Sequence, residues 1–106
     1  MAVFARTKRW LRGTYPLPFR CRVQVVKAAV IPGCLGEFRW LGDRGLIRIR
    51  AESSESLKAE TLLEEHAHAI RHAVPMQVDY EGEPHDAVFW AIYGELVNKW
   101  RVQCLK

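Results

Sequence analysis

Apolar and polar positions alternate along the middle of the chain in a way that predicts three short strands. The Val-rich stretch at residues 22–30 predicts the first, which ends at a Pro-Gly pair, and residues 37–41 predict the second. At residues 46–50, apolar and basic residues alternate, as in an edge or half-exposed strand. Because the links between the strands are short, we expect a small, mostly antiparallel sheet.

Helical periodicity appears before and after the predicted strands. It predicts a short helix at residues 3–11, a long helix at 55–72 that ends before Pro75, and a last helix at 86–102 after a polar loop at 77–83. The apolar stripe of the last helix comprises Phe89, Ile92, Tyr93, Leu96, Val97 and Trp100. The predicted fold is α+β, with the sheet packed on the 55–72 helix and the last helix closing the core.

Length and composition narrow the class of protein. With 106 residues, 49% hydrophobic and 26% charged, the chain is expected to form one globular domain over residues 1–106. No apolar run has the length of a membrane span, and no secretory signal follows the basic start, so we expect no membrane partner. The three cysteines form no C-x-x-C pair, which favours a reducing cytoplasm. The net charge of +4 gives no reason for obligate assembly, and we expect a monomer.

Positive charge is concentrated at the start of the chain. Residues 1–36 hold seven of the sixteen basic residues and none of the twelve acidic ones. A basic N-terminal arm, at about residues 1–20, indicates nucleic acid as a partner, although a solvated basic face produces the same pattern.

The residues that can carry chemistry concentrate on one face of the 55–72 helix. An advance of about 100° per residue places five positions within about a quarter turn, namely Leu57, Thr61, Glu64, His68 and His72. Glu65 falls at the rim of this face, while apolar residues and His66 fall on the opposite side. A further histidine, His85, follows the polar loop and precedes the last helix.

This face has two interpretations. In the simpler one, Glu64 and His68 form a weak ion pair on the helix surface. In the other they are metal ligands, because side chains at i and i+4 reach one point above a helix, as in H-E-x-x-H zinc sites. His85 then closes a third ligand position and leaves a fourth open for water, from which a neighbouring glutamate can take a proton.

Two segments resemble those of a known family. Residues 60–71, with the sequence E-T-L-L-E-E-H-A-H-A-I-R, resemble the active-site helix of SprT-like and related small phage-type zincin metallopeptidases, whose usual pattern is T-L-L-H-E-x-A-H-A-L. The H-D-A-V-F-W segment that begins at His85 resembles their downstream H-G-x-x-F-W segment. The resemblance covers residues from about 20 to the end and implies a minimal zincin-like domain, in the cytoplasm of a bacterium or of a phage host.

The resemblance assigns roles to individual residues. His68 matches the second zinc ligand, His85 the third, and Glu65 the general base. Glu64 stands at the first ligand position, where the family usually has His. A carboxylate can ligate Zn²⁺. Its negative charge nevertheless weakens the metal as a Lewis acid and raises the pKa of the base, so we expect metal binding to survive this change better than turnover.

Other residues offer alternatives to these roles. His72 is the alternative ligand, since it would form an all-imidazole set with His68 and His85. His66 is expected to be a core histidine with a satisfied hydrogen bond. Tyr80 and Tyr93 are candidates for donating to an oxyanion, although Tyr93 lies in the apolar stripe and is expected to pack in the core.

These expectations combine into one leading function and one alternative. The leading function is a zinc-dependent metallopeptidase whose peptide or protein substrate pairs with the strand at residues 46–50. The alternative is a catalytically inactive zincin-like binding module that contacts nucleic acid or a protein partner through the basic N-terminal region.

Overall fold

The computed structural model describes residues 1–74 and 85–104 and confirms the α+β fold. Its elements are α1 (Val3–Thr14), β1 (Cys21–Val26), β2 (Gly36–Trp40), β3 (Gly45–Arg50), α2 (Glu55–Ala73) and α3 (Ala87–Gln103). A 3-10 turn at Ala28–Val30 replaces the last part of the first predicted strand. The predicted loop at 77–83, with Tyr80, lies outside the described residues.

The three strands form one sheet in which β3 is central. β2 pairs antiparallel with β3 across a tight turn, where Gly42 has a φ of 97°. β1 pairs with β3 in parallel, so the sheet is mixed, and the expected antiparallel pairing holds for the β2–β3 pair and not for the β1–β3 pair. The connection at residues 27–35 carries the chain past β3 before β2 begins, and a local sequence pattern does not reveal such a crossing.

The prediction that residues 46–50 form an edge strand is wrong. Ile47 and Ile49 have no exposed surface, whereas Arg48 and Arg50 on the other face are half-buried. A central strand gives the same alternation as an edge strand when a helix covers only one face of the sheet. The edges of the sheet are β1 and β2.

Helix α2 occupies the centre of the molecule, against the sheet on one side and against α1 and α3 on others. It begins after Ser54, whose hydroxyl accepts a hydrogen bond from the Leu57 amide at 3.2 Å and caps the helix. Because the sheet and two helices surround α2, Thr61 and Glu65 are buried although the periodicity alone places them on or beside the polar face.

The first and last helices are joined by a buried hydrogen bond. The indole Nε1 of Trp100 donates to the Thr7 hydroxyl at 2.8 Å, and that hydroxyl donates to the Val3 carbonyl at 2.7 Å. The basic N-terminal segment is therefore a packed helix over residues 3–14. None of the helices in the described ranges is both long and apolar enough to cross a membrane.

Candidate metal centre

Two of the histidines singled out in the sequence meet between α2 and the start of α3. The Nε2 atoms of His68 and His85 lie 3.0 Å apart. His68 projects from the C-terminal half of α2, and His85 immediately precedes the N-cap of α3. The structure therefore brings together two side chains that are 17 positions apart in the sequence.

Aromatic packing orients both imidazole rings. Phe89, which is fully buried, stacks on the His68 ring at 4.3 Å and on the His85 ring at 4.5 Å between centroids. The Trp90 ring meets His85 edge-on at 5.5 Å. The conformational freedom of both rings is reduced by these contacts, which lowers the entropy lost when the two nitrogens bind a common ligand.

An ion pair anchors the segment that carries His85. The guanidinium of Arg71, on α2, donates from Nε to both carboxylate oxygens of Asp86 at 3.0 Å. Asp86 also caps α3, since its Oδ1 accepts a hydrogen bond from the Phe89 amide at 2.8 Å. Hydrogen bonding from Arg71 lowers the pKa of Asp86 to about 2, so this carboxylate is charged throughout the neutral range.

The two imidazole nitrogens are within hydrogen-bonding distance of each other, and their separation is also near that of two nitrogens bound to one zinc ion. Zinc–nitrogen bonds of about 2.0–2.1 Å in a tetrahedral site place two nitrogens roughly 3.3 Å apart. The observed 3.0 Å is close to this value. Burial, and then the proximity of His85, lowers the pKa of His68, which favours the neutral imidazole that ligates metals.

The third predicted ligand does not complete the set in this structure. Glu64 is half-buried one helical turn before His68. Burial, followed by the carboxylates of Glu64 and Glu60, raises the pKa of Tyr93 in α3. Within residues 1–74 and 85–104, no three His, Cys, Asp or Glu side chains are grouped so that they could hold a metal ion. The role of Glu64 as a ligand stays a prediction.

The predicted general base is an interior carboxyl group. Glu65 is only 5% exposed, and no hydrogen bond to its side chain is seen from the part of the chain that the structure describes. Burial, and then the nearby carboxylates of Glu64 and Glu37, raises the pKa of Glu65 to about 8. At neutral pH a carboxyl group with this pKa mostly holds its proton, and once that proton is lost it is a stronger base than an exposed carboxylate.

The alternative ligand, His72, lies in a different cluster. Its ring packs against the rings of Trp40 at 4.5 Å, Phe38 at 5.7 Å and Phe19 at 6.0 Å, which belong to β2 and to the segment before β1. The structure therefore pairs His72 with the aromatic side chains of the sheet, and pairs His68 with His85.

Two expectations about core residues are confirmed, and one contact was missed. His66 is 7% exposed, and its Nε2 donates to the Tyr15 carbonyl at 2.9 Å, as expected for a satisfied core histidine. Tyr93 packs against the core and stacks on Phe89 at 5.7 Å. The ion pair between Arg71, which is buried, and Asp86, which is partly buried, was not predicted. The sequence shows an aspartate at the N-cap position of the last helix, but this pattern does not identify Arg71 as the partner of that aspartate.

Comparisons with known proteins identify no family for this chain. No protein-family model, no curated protein and no solved structure matches the chain.

Proposed function

We propose that this protein is a zinc-dependent metallopeptidase whose metal is held by His68, His85 and Glu64. The convergence of the two Nε2 atoms at 3.0 Å, in rings held by Phe89, carries the proposal. The proposal also draws on the resemblance of the two segments to zincin metallopeptidases. It further includes a reducing, cytoplasmic setting, which is supported by the free thiols of Cys21, Cys34 and Cys104.

Each residue has a distinct role in the proposed reaction. A bound zinc ion supplies a Lewis acid next to the scissile carbonyl. Glu65 takes a proton from the attacking water and later gives it to the leaving amine. Glu64, one helical turn before His68, contributes the third ligand and one negative charge. Arg71 and Asp86 hold His85 against α2 through their ion pair and the N-cap.

The peptide substrate is proposed to bind along β2 rather than along the central strand. A peptide can extend a sheet only at an edge strand, where backbone amide and carbonyl groups are unpaired. β2 is such an edge and packs against α2. Trp40, at its end, contacts His72, which lies one helical turn after His68.

Cleavage of quenched fluorescent peptides and of an unfolded protein tests the proposal. Glu65→Gln should lower kcat/KM by at least about 100-fold, because it removes the general base. Glu60→Gln is the matched control, since it makes the same chemical change at an exposed position of the same helix and should retain activity. Equal rates in the zinc-loaded wild type, Glu65→Gln and Glu60→Gln would refute the peptidase function.

A second candidate function, a catalytically inactive binding module, is favoured by the glutamate at position 64. Glu64→His separates the two functions, since it restores the H-E-x-x-H pattern and removes a like charge beside Glu65. A peptidase should then gain activity or work at a lower pH. If Glu64→His folds, binds zinc and still cleaves nothing above Glu65→Gln, the binding module is the function.

A further inference from the structure

A basic cleft lies at the end of the sheet where β1 and β3 begin. The register pairs Cys21 with Gly45, so the arginines that precede the two strands, Arg20 and Arg44, are neighbours. Arg22 follows in β1, and Arg12 reaches the same cleft from the last turn of α1. The cleft has a volume of about 640 Å³, and Leu41, Gly45 and Leu46 also line it.

The positive charge of this cleft is largely uncompensated. No acidic side chain is among the described residues that line it. Of its four arginines, only Arg44 forms an ion pair with another described residue, and that contact, to Asp43 at 3.7 Å, is between two exposed side chains. Arg48 and Arg71, outside the cleft, are by contrast paired with Glu37 and Asp86. The four cleft arginines repel one another unless an anion binds between them.

The residue type and the shape of the cleft indicate which anion it binds. Arginine presents a planar fork of donors that matches phosphate oxygens, and it is the preferred residue for nucleic-acid backbones. Each of the four arginines is exposed, so a single phosphate gains little there, whereas a chain of linked phosphates can contact all four. The register extends the basic surface onto β2, because Arg39 lies beside Leu46.

We propose that this arginine cleft, formed by Arg12, Arg20, Arg22 and Arg44, binds the phosphate backbone of a nucleic acid. This site shares Arg12 and Arg20 with the basic N-terminal arm predicted from the sequence, but Arg22 and Arg44 lie outside the arm, and the basic residues at the start of α1 do not line the cleft. A concave cleft of this kind fits a strand of nucleic acid better than a flat lipid surface. The proposal requires no metal, so it stands or falls independently of the peptidase function.

Fluorescence anisotropy of a labelled oligonucleotide, single-stranded and as a duplex, tests the proposal over a range of salt concentrations. In one variant Arg12, Arg20, Arg22 and Arg44 are all changed to Gln. The matched control changes Lys27, Lys58, Lys99 and Arg101 to Gln, which removes the same charge from positions outside both the cleft and the N-terminal arm. Thermal melting of all three proteins establishes that each is folded. If the fourfold cleft variant does not fold, the double variant Arg20→Gln/Arg22→Gln replaces it.

The cleft variant should bind at least about ten-fold more weakly at low salt. The slope of its log Kd against the logarithm of the salt concentration should also be smaller by about three. The control should stay within about three-fold of the wild type at low salt, because its phosphate contacts are intact. Equal losses in both variants would show an effect of net charge alone and would overturn the proposal. It would also be overturned if the wild type bound no oligonucleotide, or bound only to anionic phosphatidylserine vesicles.

Discussion

The four histidines differ in what their ring nitrogens and ring faces contact, although they lie close together in the sequence. His66 donates to a backbone carbonyl in the core, and His72 packs on the aromatic side chains of the sheet. Only His68 and His85 direct nitrogens at each other. Helical periodicity predicted the separation of His66 from His68, because it depends on the local rotation of the helix. It did not separate His72 from His68, because the difference comes from contacts with β2.

Asp86 offers a test of how the protein positions His85. Asp86→Ala removes both the N-cap of α3 and the ion pair with Arg71, so the segment that carries His85 loses its anchor to α2. We expect a lower melting temperature and zinc affinity reduced by about ten-fold, as is typical when a supporting residue of a metal site is removed. Asp86→Asn keeps an oxygen for the cap and should give an intermediate affinity.

Isothermal titration with zinc measures this effect. Asp43→Ala is the control, because Asp43 forms only an exposed ion pair with Arg44. Unchanged zinc affinity in a folded Asp86→Ala protein would mean that the Arg71–Asp86 pair does not position His85.

At the scale of elements, local patterns predicted the helices well and the order of the strands poorly. The helix expected at 55–72 is found at Glu55–Ala73, and the helix expected at 86–102 at Ala87–Gln103, since caps and periodicity are local signals. The central position of β3 and its parallel pairing with β1 depend on contacts between distant residues. The arginine cleft was missed for the same reason, because only that pairing makes Arg20 and Arg44 neighbours.

The contact between β2 and α2 depends on a glycine. A Cβ atom at Gly36 would lie 2.5 Å from the Thr61 Cγ2 of α2 and 3.1 Å from the Arg48 carbonyl oxygen. Gly36→Ala should therefore destabilise the protein by about 1–3 kcal/mol, the usual cost of overpacking. Gly94→Ala, in α3, is the control, because nothing lies within 4 Å of its Cβ position and alanine favours a helix by up to about 1 kcal/mol.

Urea unfolding of the two glycine variants measures the difference. The prediction is a lower free energy of unfolding for Gly36→Ala and an equal or higher one for Gly94→Ala. A Gly36→Ala protein as stable as the wild type would show that α2 and β2 pack less closely than the structure has them.

At the scale of the whole molecule, the candidate metal centre joins the central helix to the last one. His68 belongs to α2, His85 precedes α3, and α3 is tied to α1 by the Trp100–Thr7 hydrogen bond. A ligand that binds only the folded state stabilises it by RT ln(1 + [L]/Kd), which is about 2.7 kcal/mol at a hundred times Kd. Zinc should therefore raise the melting temperature of the chain, and a chelator should reverse the effect.

The zinc content of purified variants tests the central claim most directly. Metal analysis of the dialysed wild type and of His72→Ala should find about one Zn²⁺ per chain, whereas His68→Ala and His85→Ala should each have lost it. His72→Ala is the matched control because His72 lies on the same helix and contacts the sheet instead. Stoichiometric zinc in folded His68→Ala and His85→Ala, or no zinc in the wild type, would contradict the account.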